Sequence, residues 1–175
     1  MALVLLVGAG IAAVAPRLSG TDEPGRPVAI AGVADFDPYG DGDRHEHPEL
    51  LPNVIDDDPA TVWTTENYRA ADLGAKEGVG LVVTMAEPVE VQALELTTPA
   101  GGWTAQVYVV DGDPPSDLAG WGDPVATAAD VPTGMSDVNV GGRRGKAVLI
   151  WFTQLVPNDA GTHSAALSSV VVRAS

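Results

Sequence analysis

Along most of this chain short apolar runs alternate with turns that carry glycine and proline, and helical spacing of apolar positions is scarce. Five runs read as strands: 80–85 (GLVVTM), 89–98 (VEVQALELTT), 104–110 (TAQVYVV), 146–153 (KAVLIWFT) and 169–173 (SVVVR). All are rich in Val, Leu, Thr and aromatic residues, which suit a pleated, half-buried surface. In 104–110, Ala105, Val107 and Val109 share one face while Gln106 and Tyr108 share the other, as in a strand with one buried side. Residues 147–152 are apolar on both faces, which predicts a central strand with Trp151 in the core. Turns are expected at 99–102 (PAGG), at 111–115 (DGDPP) and at Gly141-Gly142. Short strands at this rhythm predict an all-β sandwich or jelly roll, and no internal repeat is evident.

The N-terminal stretch breaks the pattern. Residues 2–15 (ALVLLVGAGIAAVA) are uncharged and apolar and predict one short helix; at about 1.5 Å per residue it falls short of a ~30 Å hydrocarbon core. Ala13-Val14-Ala15 fits a signal-peptidase site, but Pro16 would follow the cut and no Lys or Arg precedes the run. An uncleaved anchor is therefore favoured over a cleaved signal. Residues 16–27 (PRLSGTDEPGRP) show no periodicity and read as an extended tether. The expected division is 1–16 membrane anchor or signal segment, 17–27 linker and 28–175 β-sandwich, a single-pass membrane protein with its folded domain extracytoplasmic.

Charge narrows the partners. Nine Lys and Arg stand against 24 Asp and Glu in 175 residues, a net charge of −15, which disfavours nucleic acid and anionic lipid headgroups. Without cysteine there is no disulfide framework, thiolate metal site or cysteine nucleophile. Neither a G-x-S-x-G elbow nor a phosphate-binding G-x-x-x-x-G-K-[ST] loop occurs. His45 and His47 flank Glu46 as HEHPE, which lacks the HExxH spacing that sets two histidines on one helix face. A non-catalytic module is expected.

The acids are unevenly spread: Asp35, Asp37, Asp41, Asp43, Glu46, Glu49, Asp56, Asp57 and Asp58 place nine of the 24 between positions 35 and 58. Hard cations such as Ca²⁺ take six to eight oxygens from a flexible loop, and FDPYGDGDRHE supplies carboxylates among glycines. Asp35, Asp37, Asp41, Asp43 and Glu46 are thus one metal candidate, although Pro38 and Tyr39 interrupt any EF-hand spacing. A solvated acidic loop is the alternative reading.

The second cluster, from Asn53 through Asp56-Asp57-Asp58 to Thr61 and Trp63, is more specific. It resembles the N-xx-D-G-D-xx-T-x-W signature of galactose-binding-like, discoidin or coagulation-factor (F5/8) type C jelly rolls. The resemblance implies that Asp56, Asp58 and Thr61 hold a structural calcium and that Trp63 packs in the core. Asp57 stands where the family has Gly, a tolerable change because Asp visits the left-handed region. Ser169 stands where the closing strand supplies a Glu ligand. The order of the acidic loop, the triplet, Tyr68, Lys76-Glu77-Gly78, the paired strands and the closing strand is similar to the extracytoplasmic C-terminal domain of actinobacterial MviN/MurJ-type lipid II flippase homologues and of related protein-kinase-like proteins. That resemblance covers about 30–175 and includes neither the flippase bundle nor the kinase-like domain.

What it implies is a membrane-anchored module for a cell-wall glycan, associated with peptidoglycan processes; the alternative is a sensor or assembly tail that binds an envelope protein and no sugar. Trp103, after PAGG, is expected at a loop tip where its indole would stack on a sugar. Tyr68 and Trp121 are further candidates, and Arg143, Arg144 and His163 are expected on loops that could bond hydroxyls or carboxylates.

Overall fold

The computed structural model describes residues 25–40, 42 and 44–175. The expected N-terminal helix, its anchoring role, most of the tether, and Asp41 and Asp43 lie outside the described residues. Among the described residues no helix is long and apolar enough to cross a membrane.

The strands are β1 (Arg26–Val28), β2 (Ile30–Phe36), β3 (Trp63–Thr64), β4 (Val79–Thr98), β5 (Thr104–Val110), β6 (Ala126–Ala128), β7 (Gly134–Gln154), β8 (Val156–Pro157), β9 (His163–Ser164), β10 (Ala166–Leu167) and β11 (Ser169–Ala174). All five expected runs are strands, and 80–85 and 89–98 are two halves of the twenty-residue β4. β4 and β7 pair antiparallel along nearly their whole length, from Val79↔Phe152 to Thr98↔Gly134. The register shifts between Thr84 and Val89, where Pro88 lacks an amide to donate, and again between Val91 and Ala93. Opposite this corner Gly141 and Gly142 have φ of 78° and 72°, which side chains with a Cβ rarely adopt. Gly141-Gly142 is therefore not a hairpin turn between strands, as expected from sequence, but the bend that carries one strand through two layers.

The first halves of β4 and second halves of β7 pair with β2 and β5, and β5 with β6. The other halves pair with each other and, through β4, with β11 and β1. Leu81, Val83, Val107, Ile150 and Phe152 from the first layer and Leu94, Leu96, Val138, Val170 and Val172 from the second share one buried core. The central position expected for 147–152 is borne out by its pairing with β4 on one side and β5 on the other. Its outward residues Ala147, Leu149 and Trp151 form a second buried cluster with Val82, Tyr108 and Trp121. Residues 111–125 cover that face, through a 3-10 turn, Leu118–Trp121, whose N-terminal Asp117 accepts the Gly120 amide at 2.8 Å. β1 begins at Arg26, inside the stretch read as tether, because Pro27 is tolerated at a sheet edge while Arg26 to Val28 pair with β11.

The packing predicts contrasting costs. Leu94→Ala, fully buried between the layers, should lose about 2–5 kcal/mol of unfolding free energy. Met135→Ala, 63% exposed, should stay within about 0.5 kcal/mol. Urea denaturation with unchanged m-values reads both.

Candidate functional site

Between β2 and β4 the chain leaves the sandwich for some forty residues, and two zippers fasten this excursion to one end of it. Residues 63–71 run against 155–167: Trp63↔Leu167 and Thr64↔Ala166 pair, Tyr68 and His163 exchange main-chain bonds at 2.9 and 2.8 Å, and Leu155 N donates to Ala71 O at 2.7 Å. The second zipper is polar and centres on Glu46, which is fully buried. Its carbonyl accepts the Trp63 indole N–H at 2.7 Å. Its carboxylate accepts the Glu66 amide at 2.7 Å and a short hydrogen bond from the Tyr68 hydroxyl.

Lys76 completes the network. Its Nζ donates to Asp37 Oδ2 at 2.6 Å and to the Tyr68 hydroxyl at 3.0 Å, lies 4.0 Å from Glu46 Oε1, and sits 5.0 Å from the centre of the Tyr68 ring. Proton donation thus runs one way, from ammonium to phenol to carboxylate. Burial pushes the Glu46 carboxyl above its usual range, against the opposing pull of its hydrogen bonds and Lys76. Burial, then the bond to Glu46, raises the Tyr68 hydroxyl.

Three members of the acidic metal candidate, Asp35, Asp37 and Glu46, take part in this network. Asp35 accepts the Glu46 amide at 2.6 Å and faces His45 Nδ1 at 3.1 Å, and Asp37 and Glu46 face Lys76. The positive charge among these carboxylates is an ammonium, and among the described residues no group of three or more His, Asp or Glu is placed to hold a metal.

The triplet keeps part of the arrangement its resemblance implies. Asp57 has a φ of 61°, the left-handed conformation expected of a residue standing in for Gly. Asn53 closes the loop by donating to Val62 O at 2.8 Å. The Thr61 hydroxyl lies 2.8 and 3.0 Å from the Asp56 carboxylate oxygens and 2.9 Å from Asp58 O, so three kinds of oxygen converge. The Asp58 carboxylate accepts the Ala60 amide at 2.9 Å, as in an Asx turn. Ser169 and Asp57 line one shallow groove, so the residue in the place of the family's Glu stands beside the triplet. Trp63 is fully buried, as the resemblance implies.

The expected ligand residues separate into three places. Trp103 is fully buried, with its indole N–H 3.2 Å from the Thr98 hydroxyl and its ring edge-on to Phe152; the loop-tip expectation is corrected, because residues 99–102 turn its ring inward. Trp121 is 3% exposed and packs edge-on against Phe36 under the 111–125 cover, so it too offers no face to a sugar. Arg143 pairs with Val91 at the ribbon's bend, and Arg144 bonds Asp111 at 3.2 Å; β5 enters at Thr104↔Gln154 and leaves at Val110↔Ala147, so both arginines lie at the opposite end of the sandwich from the zippers.

Tyr68 and His163 alone come together. Around them stand groups that sequence reasoning missed. Asn67 Oδ1 accepts from Asn158 Nδ2 at 2.7 Å and from the Thr162 hydroxyl at 3.0 Å, and the exposed Glu66 carboxylate lies 3.2 Å from His47 Nε2. Asn158 orders its own turn by accepting the Ala160 and Thr162 amides, a role foreshadowed by the P-N-D-A-G string. His163 Nδ1 is buried without a hydrogen-bond partner among the described residues. This end of the molecule presents amide, hydroxyl, imidazole and carboxylate groups on loops fixed from both sides.

The two-layer all-β sandwich is a jelly roll, and solved structures share its fold. The chain is similar to the CBM32 module of AlyQ, solved with 4,5-unsaturated mannuronic acid, at TM-score 0.60 and 12% identity, covering 84% of this chain and 97% of that one. It is also similar to chitosan-binding module 1 of a Paenibacillus chitosanase/glucanase (TM-score 0.56, 16% identity, 81% and 92% covered). For the CBM32-1 and CBM32-2 domains of Clostridium perfringens ZmpB the TM-score is 0.61 at 14% identity, with 83% and 34% covered. No family model and no curated protein matches the chain, so the flippase-like and kinase-like resemblance gains no support from these comparisons.

Lys76→Met should destabilise the fold by somewhat less than the ~3–5 kcal/mol of breaking a fully buried ion pair, because Lys76 keeps 23% exposure. The deficit should shrink as pH falls and the stranded carboxylates take up protons. For Glu46 itself the folded pKa lies above the usual 4.5, so the stability it contributes is complete below 4.5 and is lost as pH rises through the folded value. Unfolding free energies of the natural chain minus those of Glu46→Gln, measured from pH 4 to 8, should therefore decline with pH and then level.

Proposed function

We propose that this chain is a non-catalytic glycan-binding module whose ligand site is the loop end built on Tyr68, His163, Asn67, Asn158 and Thr162. The observation that carries the reading is a set of hydrogen-bonding side chains held rigidly at the end of a jelly roll, the groups that fix the hydroxyls of a sugar. Its structural neighbours are carbohydrate-binding modules, which supports the same reading. In this proposal residues 1–16 anchor the module in the cell membrane, the domain lies outside the cytoplasm, and its ligand is a cell-wall glycan. The resemblance to flippase tails favours a role in peptidoglycan processes. Calcium held by Asp56, the Asp58 main chain and Thr61 would brace the loop that ends at Trp63 rather than touch the sugar.

Calorimetric titration with soluble peptidoglycan fragments, chitosan oligosaccharides and mannuronate oligosaccharides tests the ligand. Binding to at least one is expected. Asn67→Ala and His163→Ala should each weaken it about tenfold, the worth of roughly one hydrogen bond, and Arg143→Ala should leave it unchanged. No binding to any of the three would refute the glycan reading. For the metal, millimolar Ca²⁺ against EDTA should raise the unfolding midpoint by several degrees in the natural chain and by none in Asp56→Ala.

A further inference from the structure

Away from the loop end, the margin of the sandwich between β6 and the first half of β7 is open. A groove of about 680 Å³ runs along it, lined by Ala126 and Ala128 of β6, Val131, and Ser136, Asp137 and Asn139 of β7. Both strands are edges here. Among the described residues β6 pairs only with β5, and the Gly134–Asn139 part of β7 pairs only with β4. Among the described residues the layer that ends at β6 has five strands, and the layer that ends at this half of β7 has four. Among the described residues no fifth strand covers the second layer at the margin where the groove lies.

The exposed edge spans six residues, about 20 Å of strand, and alternate residues turn their N–H and C=O groups away from β4. Its side chains alternate cleanly. Met135, Asp137 and Asn139 face outward, while Val138 and Val140 are buried and Ser136 shares their inward row. Ser136 Oγ is buried and has no hydrogen-bond partner among the described residues, although it stands in a row of valines. The groove floor is small and apolar, no lysine or arginine lines it, Asp137 stands at its rim, and the whole chain carries −15.

We infer that this margin is a strand-addition site for an extended peptide that bears lysine or arginine at alternate positions. The peptide pairs with the edge of Gly134–Asn139 and becomes the fifth strand of the second layer. Its apolar side chains lie inward over Ala126 and Ala128, and its basic ones meet Asp137 on the outer face, where opposite charges on adjacent strands attract. Ser136 Oγ gains a partner from the incoming strand. The inference is independent of the glycan site, which uses other residues at the loop end.

The test is a titration of the ¹⁵N-labelled full chain in detergent with acetyl-Lys-Val-Lys-Val-Lys-Val-amide, and with the same peptide carrying Glu for Lys. The expected result is saturable shifts and slowed amide exchange confined to residues 126–139. The Glu peptide should bind about fivefold more weakly, and Asp137→Lys, a change on the exposed face, should reverse that preference. Ser136→Tyr, which fills the groove, should abolish binding while the unfolding midpoint reports an intact fold. Absence of shifts at 134–139 up to millimolar peptide overturns the inference, and so does equal binding of both peptides by the natural chain. Sedimentation showing a dimer that Asp137→Lys dissociates would assign the edge to a second copy instead, and oligosaccharide-induced shifts at these amides would assign it to a glycan; either result also overturns it.

Discussion

The antiparallel ribbon of β4 and β7 is the constraint on which the rest of the molecule hangs. Every strand of both layers pairs with one of these two, or with a strand that does. A ribbon that served a single layer would leave one apolar face uncovered. Here it bends at Pro88 and at Gly141-Gly142, folds back on itself, and buries its own two halves against each other. Leu81 and Leu94, thirteen positions apart on one strand, therefore meet the same core from opposite layers.

A second constraint is electrostatic. The excursion that carries the candidate site has little regular structure, and its main-chain groups need partners from side chains. At Glu46 two are met at once, the Glu66 amide by its carboxylate and its own carbonyl by the Trp63 indole N–H, while the other carboxylate oxygen takes the Tyr68 hydroxyl. A buried carboxylate without a nearby cation would be costly, and Lys76 meets that need while also holding Asp37. The same ammonium supplies the positive charge that faces Asp37 and Glu46. Asp35, Asp37 and Glu46 thus become part of the scaffold that presents Tyr68 and His163.

These two constraints leave the molecule with two kinds of surface. At the loop end, side chains locked from both sides offer hydrogen bonds in a fixed geometry, which suits a ligand whose identity lies in hydroxyl positions. At the open margin of the sandwich the main chain of Gly134–Asn139 has no second strand partner among the described residues, which suits a ligand that brings its own main chain. Under the two proposals the domain would hold a glycan at its loop end and a peptide at its open margin.

Local pattern determined five of the strand runs, the central place of 147–152 and the burial of Trp151, and the family resemblance pointed to the left-handed Asp57 and the burial of Trp63. Each depends on a residue and its immediate neighbours: alternation, apolar runs on both faces, or an Asp tolerating positive φ. Trp103 and Trp121 were misplaced because a turn-flanked indole looks the same in sequence whether its loop folds outward or inward, and only packing against Phe152 and Phe36 decides. Gly141-Gly142 looked like a turn between strands for the same reason, since a bend within a strand and a turn between strands can need the same positive φ. The meeting of Glu46, Tyr68 and Lys76, of Asn67 with Asn158, and of β6 with the edge of β7 was beyond the sequence. Such contacts join residues that have no local signal for each other, and only closure of the ribbon brings them together.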